Sequence, residues 1–274
     1  MRIAQALRHA LSLGVARLDG QLLLGHVLQR PREWLLAHDD EALDPAAAST
    51  WLALLQRRAA GEPLAYLVGE KEFRGLMLQV SPAVLVPRPE TELLVEWALE
   101  CLPDAPSARV VDLGTGSGAV ALAIKQACPH CELTATDASG DALAVAQANA
   151  QGHRLDLHLA RGDWWLAVPG QRFGLAVSNP PYVAGDDPHL AALRHEPQSA
   201  LTPGGDGLGA LRQLVEGAPA HLQPGAWLLL EHGHDQAGAV CRLLAARGFL
   251  QAQTRADLAG LPRCSGARWL PSVD

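Results

Sequence analysis

The nine residues Val110-Val111-Asp112-Leu113-Gly114-Thr115-Gly116-Ser117-Gly118 decide the fold of this 274-residue chain. The apolar run reads as a buried β-strand, the glycines as a tight turn, and the residues after them as the start of a helix. Glycine lets the backbone bend sharply and approach a ligand, because no Cβ stands in the way. The helix that follows presents free amides at its N-terminus. About twenty residues on, Asp137 ends the next predicted strand, where a carboxylate can take both hydroxyls of a ribose. Asp163-Trp164 ends a third strand, with a carboxylate for an adenine amino group and an indole to stack on the base.

Working outward, strand and helix patterns alternate as in a parallel sheet with crossover helices. The expected strands are Arg109–Leu113, Glu132–Thr136, Asp156–Ala160, Leu175–Ser178 and Ala226–Glu231, with a last one near Leu250–Arg255. The expected helices lie at about 117–127, 139–150, 208–221 and 235–247. Upstream the pattern is helical. A helix from Ala16 to Gln29 carries Leu18, Leu22, Leu23 and Val27 on one face, and Pro31 lies beyond its end. Asp44-Pro45, an N-cap followed by proline at the first helical position, opens a second helix that runs to Ala60 and is broken by Gly61-Glu62-Pro63. Phe73, Leu76, Leu78, Val80 and Val84-Leu85-Val86 suggest a hairpin, after which a helix runs from about Glu90 to Leu102. The chain therefore divides into a helical domain (1–70), a hairpin linker (71–86) and an α/β domain (87–274) with a Rossmann-like sheet.

The formal net charge of −7, from 22 basic and 29 acidic residues, argues against the broad basic footprint of a nucleic-acid binder, though not against a local patch. A cationic cofactor or a basic partner is electrostatically welcome. No apolar run reaches the length needed to span a bilayer, and the N-terminus reads as an amphipathic helix rather than a signal peptide, so a cytoplasmic protein is expected. Five scattered cysteines (Cys101, Cys128, Cys131, Cys241, Cys264) fit free thiols. Cys128-Pro129-His130-Cys131 is a C-x-x-C, but no second pair stands at the spacing of a four-ligand zinc site.

Gly114, Gly116 and Ala119 also satisfy the dinucleotide fingerprint, so a nicotinamide cofactor must be weighed. Asp112, directly before the turn, favours a ligand with positive charge, such as the ammonium and sulfonium of S-adenosylmethionine. A second motif, Asn179-Pro180-Pro181-Tyr182, caps the run Leu175-Ala176-Val177-Ser178. Each proline fixes φ and removes an amide donor, and the residue before it is pushed toward extended geometry. A polar amide at a stiff strand tip suits gripping an NH2, whose two hydrogens need two converging acceptors. Such a grip has no role in hydride transfer. Together the two motifs fit a methyltransferase.

Asp112 to Gly118, Asp163-Trp164 and Ser178 to Tyr182 resemble the class I S-adenosylmethionine-dependent amino and amide N-methyltransferases. Within that class, Pro87-Arg88-Pro89-Glu90-Thr91-Glu92, Leu230-Glu231-His232-Gly233 and Pro63-Leu64-Ala65-Tyr66-Leu67-Val68-Gly69 resemble the HemK type, the peptide-chain release factor glutamine N5-methyltransferases. The resemblance implies a helical N-terminal domain that helps recognise a release factor, and a glutamine in a Gly-Gly-Gln motif as substrate. It places Gly114, Thr115, Gly116, Ser117 and Gly118 on the methionine part of the cofactor and Asp137 on its ribose. Asp163 and Trp164 fall at the adenine, while Asn179, Pro180, Pro181 and Tyr182 hold the glutamine, with Asn179 also bordering the cofactor. The tail, Cys264 to Asp274, fits the family loosely and inherits no role.

Methyl transfer from a sulfonium is an in-line displacement, so alignment is the main requirement, and holding two reactants in attack geometry can supply roughly 7–11 kcal/mol. The expected catalytic groups are the Asn179 side-chain oxygen and the Pro180 carbonyl, each accepting one N–H, with Tyr182 packed on the amide plane. His232 and His195 read as structural or surface groups, and Glu90 and Glu231 receive no role. Three alternatives stay open on the residues alone: a ribosomal-protein glutamine as substrate, an exocyclic amine of a nucleic acid, or cofactor binding without activity.

Overall fold

The computed structural model describes residues 1–103 and 107–270. The chain forms two compact units, Met1–Glu70 and Lys71–Asp274; residues 271–274 of the expected α/β domain and of the loosely fitting tail lie outside the described residues.

The first unit contains helices α1 (Ile3–Ser12), α2 (Arg17–Leu28), α3 (Arg32–Ala37), α4 (Pro45–Ala59) and α5 (Leu64–Val68). Asp44 caps α4 as its sequence predicts, its Oδ1 accepting from the amides of Ala46 and Ala47 at 2.9 Å each. Ile3, Ala6, Leu23, Leu24, Leu35, Trp51 and Leu55 form the core. The buried face of α2 departs from expectation. Leu23 is fully buried, but Leu18 and Leu22 are 48% and 41% exposed, and Gly20, Gln21, Leu24 and Gly25 face inward instead. The cause is packing against α1: a Cβ on Gly20 would lie 3.0 Å from that of Ala10, so the helices meet at this small residue and the leucines two positions either side turn outward.

From Lys71 the second unit opens within a two-stranded hairpin, β1 (Glu70–Phe73) and β2 (Leu76–Gln79). A single 3₁₀ turn at Pro89–Thr91 then leads into α6 (Glu92–Glu100). The alternating part follows as β3 (Arg109–Leu113), α7 (Ala119–Ala127), β4 (Glu132–Asp137), α8 (Gly140–His153), β5 (His158–Arg161) and β6 (Phe173–Ser178). It continues through α9 (Gln198–Leu201), α10 (Gly209–His221), β7 (Leu222–Glu231), α11 (Ala237–Ala246), β8 (Leu250–Ala256) and β9 (Pro262–Arg268).

The seven-stranded sheet has the order β5-β4-β3-β6-β7-β9-β8. It is mixed rather than parallel, because β9 runs antiparallel to both of its neighbours, β7 and β8. The sequence reading missed β9. Its centre, Cys264-Ser265-Gly266-Ala267, is buried but made of small residues, without the β-branched or aromatic side chains that signal a strand. A Cβ on Gly266 would come within 2.4 Å of Leu229, so the strand fits its place only with that small centre.

Side chains of the central strands alternate between two cores. Val110, Leu175, Val177 and Leu229 face the layer of α6 and α7, with Trp97, Leu122 and Ile124. Val111, Leu113, Ala176, Leu228 and Leu230 face α10 and α11, with Leu211, Leu214, Val240 and Leu244. Strand order reverses at β3, which pairs with β4 on one side and β6 on the other. In open α/β sheets ligands bind at the carboxyl ends of the strands beside such a switch point. The Cys128-x-x-Cys131 pair, expected as free thiols, is joined in a disulfide where α7 gives way to β4, its Cα atoms 5.6 Å apart. The two cysteines sit in one tight turn, closed by the Cys131 amide donating to the Cys128 carbonyl.

Candidate active site

At the tip of β3 the backbone does most of the shaping. The amides of Gly114 and Thr115 both donate to the Thr136 carbonyl at the end of β4, at 2.9 and 2.8 Å. The turn has positive φ at Gly114 (75°), Gly116 (55°) and Gly118 (84°), conformations that cost other residues energy. The Gly116 amide donates to Asp137 Oδ2 at 2.9 Å, and Asp137 Oδ1 takes the Ser139 amide, so the carboxylate is fixed at the turn. Asn149, almost fully buried on α8, donates to the carbonyls of Ser117 and Gln79, tying the turn to the hairpin. Trp164 covers the turn: a Cβ on Gly114 would lie 3.0 Å from its ring, which is anchored by a 2.9 Å bond from Nε1 to Gln213.

Asp112 is buried beneath the turn and accepts the Thr115 hydroxyl at 2.7 Å. Burial raises its carboxyl to about pKa 7, against the opposing pull of the Thr115 and Ala121 hydrogen bonds. A cationic neighbour would lower that pKa and favour the charged carboxylate.

At the tip of β6 the side chains do the shaping. Ser178 Oγ donates to the Leu113 carbonyl at 2.6 Å and locks the two tips together. Asn179 Nδ2 donates to Thr91 Oγ1 at 3.1 Å, which leaves the amide oxygen as an acceptor. Tyr182 turns its hydroxyl to Glu231 Oε1 at 3.3 Å, and its carbonyl accepts from Gln236 at 2.9 Å. Glu231 is buried at the end of β7, and burial lifts its carboxyl to about 7. The Tyr182 phenol is also pushed up, by burial first and by the charge of Glu231 second. Nearby, Glu196 accepts from the Val86 amide at 3.0 Å and pairs with Arg88, tying two walls of the site together.

Gly114, Thr115, Gly116, Ser117, Asp137, Asp163, Trp164, Asn179 and Pro181 all border one cavity of about 410 Å³. Gly118 sits behind it, where a Cβ would lie 3.2 Å from Leu122 and 3.3 Å from Ala146. Pro180 and Tyr182 lie off the cavity wall, Tyr182 being engaged with Glu231. His232 is buried between the Gly233 carbonyl and Ser265, each at 2.8 Å. Sequence reasoning gave no role to Thr91, Gln213 or Glu231. The only cue to Thr91 and Glu231 was the family resemblance of the stretches that contain them.

The cavity suits S-adenosylmethionine on its own geometry. It offers a glycine-rich turn under an indole, a carboxylate fixed by the Gly116 and Ser139 amides, and a buried acid for a cation.

Residues 90–208 match the family described as the methyltransferase small domain, and residues 2–69 the one described as the PrmC N-terminal domain. The chain is 50% identical over 256 residues to a release factor glutamine methyltransferase of Bordetella pertussis, covering 92% of this chain and 95% of the relative. It is 50% identical over 266 residues to the Xylella fastidiosa (strain Temecula1) protein of the same name, covering 96% and 97%. The Escherichia coli protein of that name is 42% identical over 256 residues, 92% of each chain. Among solved structures, a methyltransferase from Pyrococcus furiosus aligns with a TM-score of 0.56 at 18% identity, over 80% of this chain and 98% of its own, and speaks for the fold alone.

Proposed function

The chain belongs to the release factor glutamine methyltransferases, and from that premise we propose how its residues bring a methyl group onto the side-chain amide nitrogen of a release-factor glutamine. It is an S-adenosylmethionine-dependent protein-glutamine N5-methyltransferase with a class I methyltransferase sheet. The cofactor, when bound, supplies an electrophilic methyl group on a sulfonium.

The observation that carries the reading of the site is the Asn179–Thr91 bond, which occupies the nitrogen end of the Asn179 amide at the cavity wall. Asn179 Oδ1 accepts one N–H of the substrate amide and the Pro180 carbonyl the other. The amide nitrogen is a weak nucleophile because its lone pair is shared with the carbonyl. Two acceptors fix its direction of attack and stabilise the positive charge it gains as the methyl arrives. The N-protonated amide then loses its proton readily, so no strong general base is required. Gly114 to Gly118 and Asp112 hold the methionine end of the cofactor, Asp137 the ribose, and Asp163 with Trp164 the adenine.

In this reading residues 1–70 recognise the release factor, whose Gly-Gly-Gln segment reaches Asn179, and the work is done in the cytoplasm without direct binding of nucleic acid. Labelled S-adenosylmethionine offered with purified release factor, ribosomal protein, tRNA and DNA, followed by mass mapping, tests it. Label on the glutamine of Gly-Gly-Gln is expected. Label only on ribosomal protein or nucleic acid overturns the substrate assignment.

A further inference from the structure

One buried carboxyl stands behind both ends of the Asn-Pro-Pro-Tyr corner without belonging to it. Glu231 is 1% exposed, and the Tyr182 hydroxyl donates to its Oε1 at 3.3 Å. Among the described residues, no hydrogen bond of ordinary length reaches Oε2. The Thr91 hydroxyl nevertheless stands close enough to stabilise the charged form of Glu231. That hydroxyl already accepts Nδ2 of Asn179 at 3.1 Å, which leaves its own proton free to turn toward the Glu231 carboxylate whose charged form it stabilises.

The direction of these bonds matters. A carboxylate only accepts, so it draws the protons of both Thr91 and Tyr182 toward itself. Thr91 then presents a lone pair to Asn179, and Asn179 must present its nitrogen to Thr91. An amide fixed in that sense turns its oxygen away from Thr91. Bonds linked in this way also polarise one another, which enriches the charge on the far oxygen.

Resting on the assignment of Asn179 as the grip on the substrate amide, we propose that Glu231 is a positioning residue for methyl transfer. Acting through Thr91 and Tyr182, its carboxylate sets the Asn179 amide with Oδ1 toward the reacting nitrogen. The groups around it come from every neighbouring element. Arg263 of β9 lowers its pKa, and Glu90 at the 3₁₀ turn raises it. Arg263 is itself paired with Asp257 at 2.9 Å. Cys264 is its register partner on β9, its thiol held neutral by burial. His232 follows it in β7's exit, and burial lowers that imidazole's pKa. Arg263 alone does not offset the burial of Glu231, so its proton is lost near neutrality.

The test is steady-state methylation of intact release factor by the full chain, across pH, with melting temperatures measured alongside. Glu231→Gln puts an N–H donor where the carboxylate only accepted, so a neighbouring hydroxyl must reverse. We expect kcat to fall about tenfold or more with little change in KM. At saturating S-adenosylmethionine the wild type is expected to lose rate below about pH 7 and this variant is not, while its melting temperature holds or rises. Thr91→Val, which cuts the link while leaving Glu231, should show a similar kcat loss, and Thr91→Ser should restore it. A Glu231→Gln enzyme with wild-type kcat and an unchanged acid limb overturns the proposal. If that variant does not fold, a Thr91→Val enzyme with wild-type kcat does so instead. A wild type that fails to methylate release factor at all refutes the functional reading rather than the role of Glu231.

Discussion

The tip of β3 is shaped by backbone and the tip of β6 by side chains, although the two strands are paired in one sheet. At β3, positive φ angles, amides shared on one carbonyl and missing Cβ atoms form an open cradle at the cavity. At β6, the Asn179 amide meets the Thr91 hydroxyl, and the Tyr182 phenol meets the buried Glu231 carboxyl. Each tip keeps one acid at about pKa 7 through burial, Asp112 below the first and Glu231 behind the second. The lesson is a division of labour. On the proposed assignment of the site, a cofactor common to many reactions is held by backbone, and the group that selects the nucleophile is held by a side-chain network.

The largest break in that comparison should come from Asn179→Ala. Loss of the amide acceptor is expected to lower kcat by about 10²–10³-fold while cofactor affinity, read by calorimetry, changes by only a few-fold. Gly114→Ala should do the reverse. A residue with a side chain at φ 75° is strained, and its Cβ would press on Trp164. Cofactor affinity should weaken about tenfold or more, with kcat at saturation nearly preserved.

A smaller effect separates the two acids by pH. The folded-state pKa of Asp112, about 7, lies above its ordinary 3.8. The folded protein therefore holds that proton between about pH 4 and 7, where the unfolded chain has released it. Its relative contribution to stability is present at low pH and is lost as pH rises through 7. Asp112→Asn, which needs no charge buried, should raise the melting temperature at pH 8. Cofactor affinity of the wild type should fall as pH drops below 7, because the protonated acid no longer draws a cation, and the variant should bind weakly at every pH. The smallest effect is a control away from both tips. Asp44→Ala removes the α4 cap, costing about 1 kcal/mol of stability in chemical denaturation without moving kcat or cofactor affinity.

The two tips also differ in how far the sequence discloses them. The glycine turn and its acid are local: strand, turn and helix follow one another, and Asp137 closes the next strand. Asn179-Pro180-Pro181-Tyr182 is equally plain as a string. What stands behind it is not, since Thr91 lies 88 residues from Asn179 and Glu231 49 residues from Tyr182, and no periodicity marks such pairs. The same limit applies to β9, whose small residues hide its strand character until β7 and β8 flank it. In α2 the leucines gave the wrong face because Gly20, which carries no hydrophobic signal, sets the contact with α1.

The most direct test of the division of labour is single-turnover methylation of release factor at saturating S-adenosylmethionine, run side by side on Asn179→Ala and Gly114→Ala. Raising the cofactor to saturation should bring Gly114→Ala back to near the wild-type rate and leave Asn179→Ala slow at every concentration. Recovery of Asn179→Ala by added cofactor, or a Gly114→Ala rate that stays low at saturation, would contradict that division.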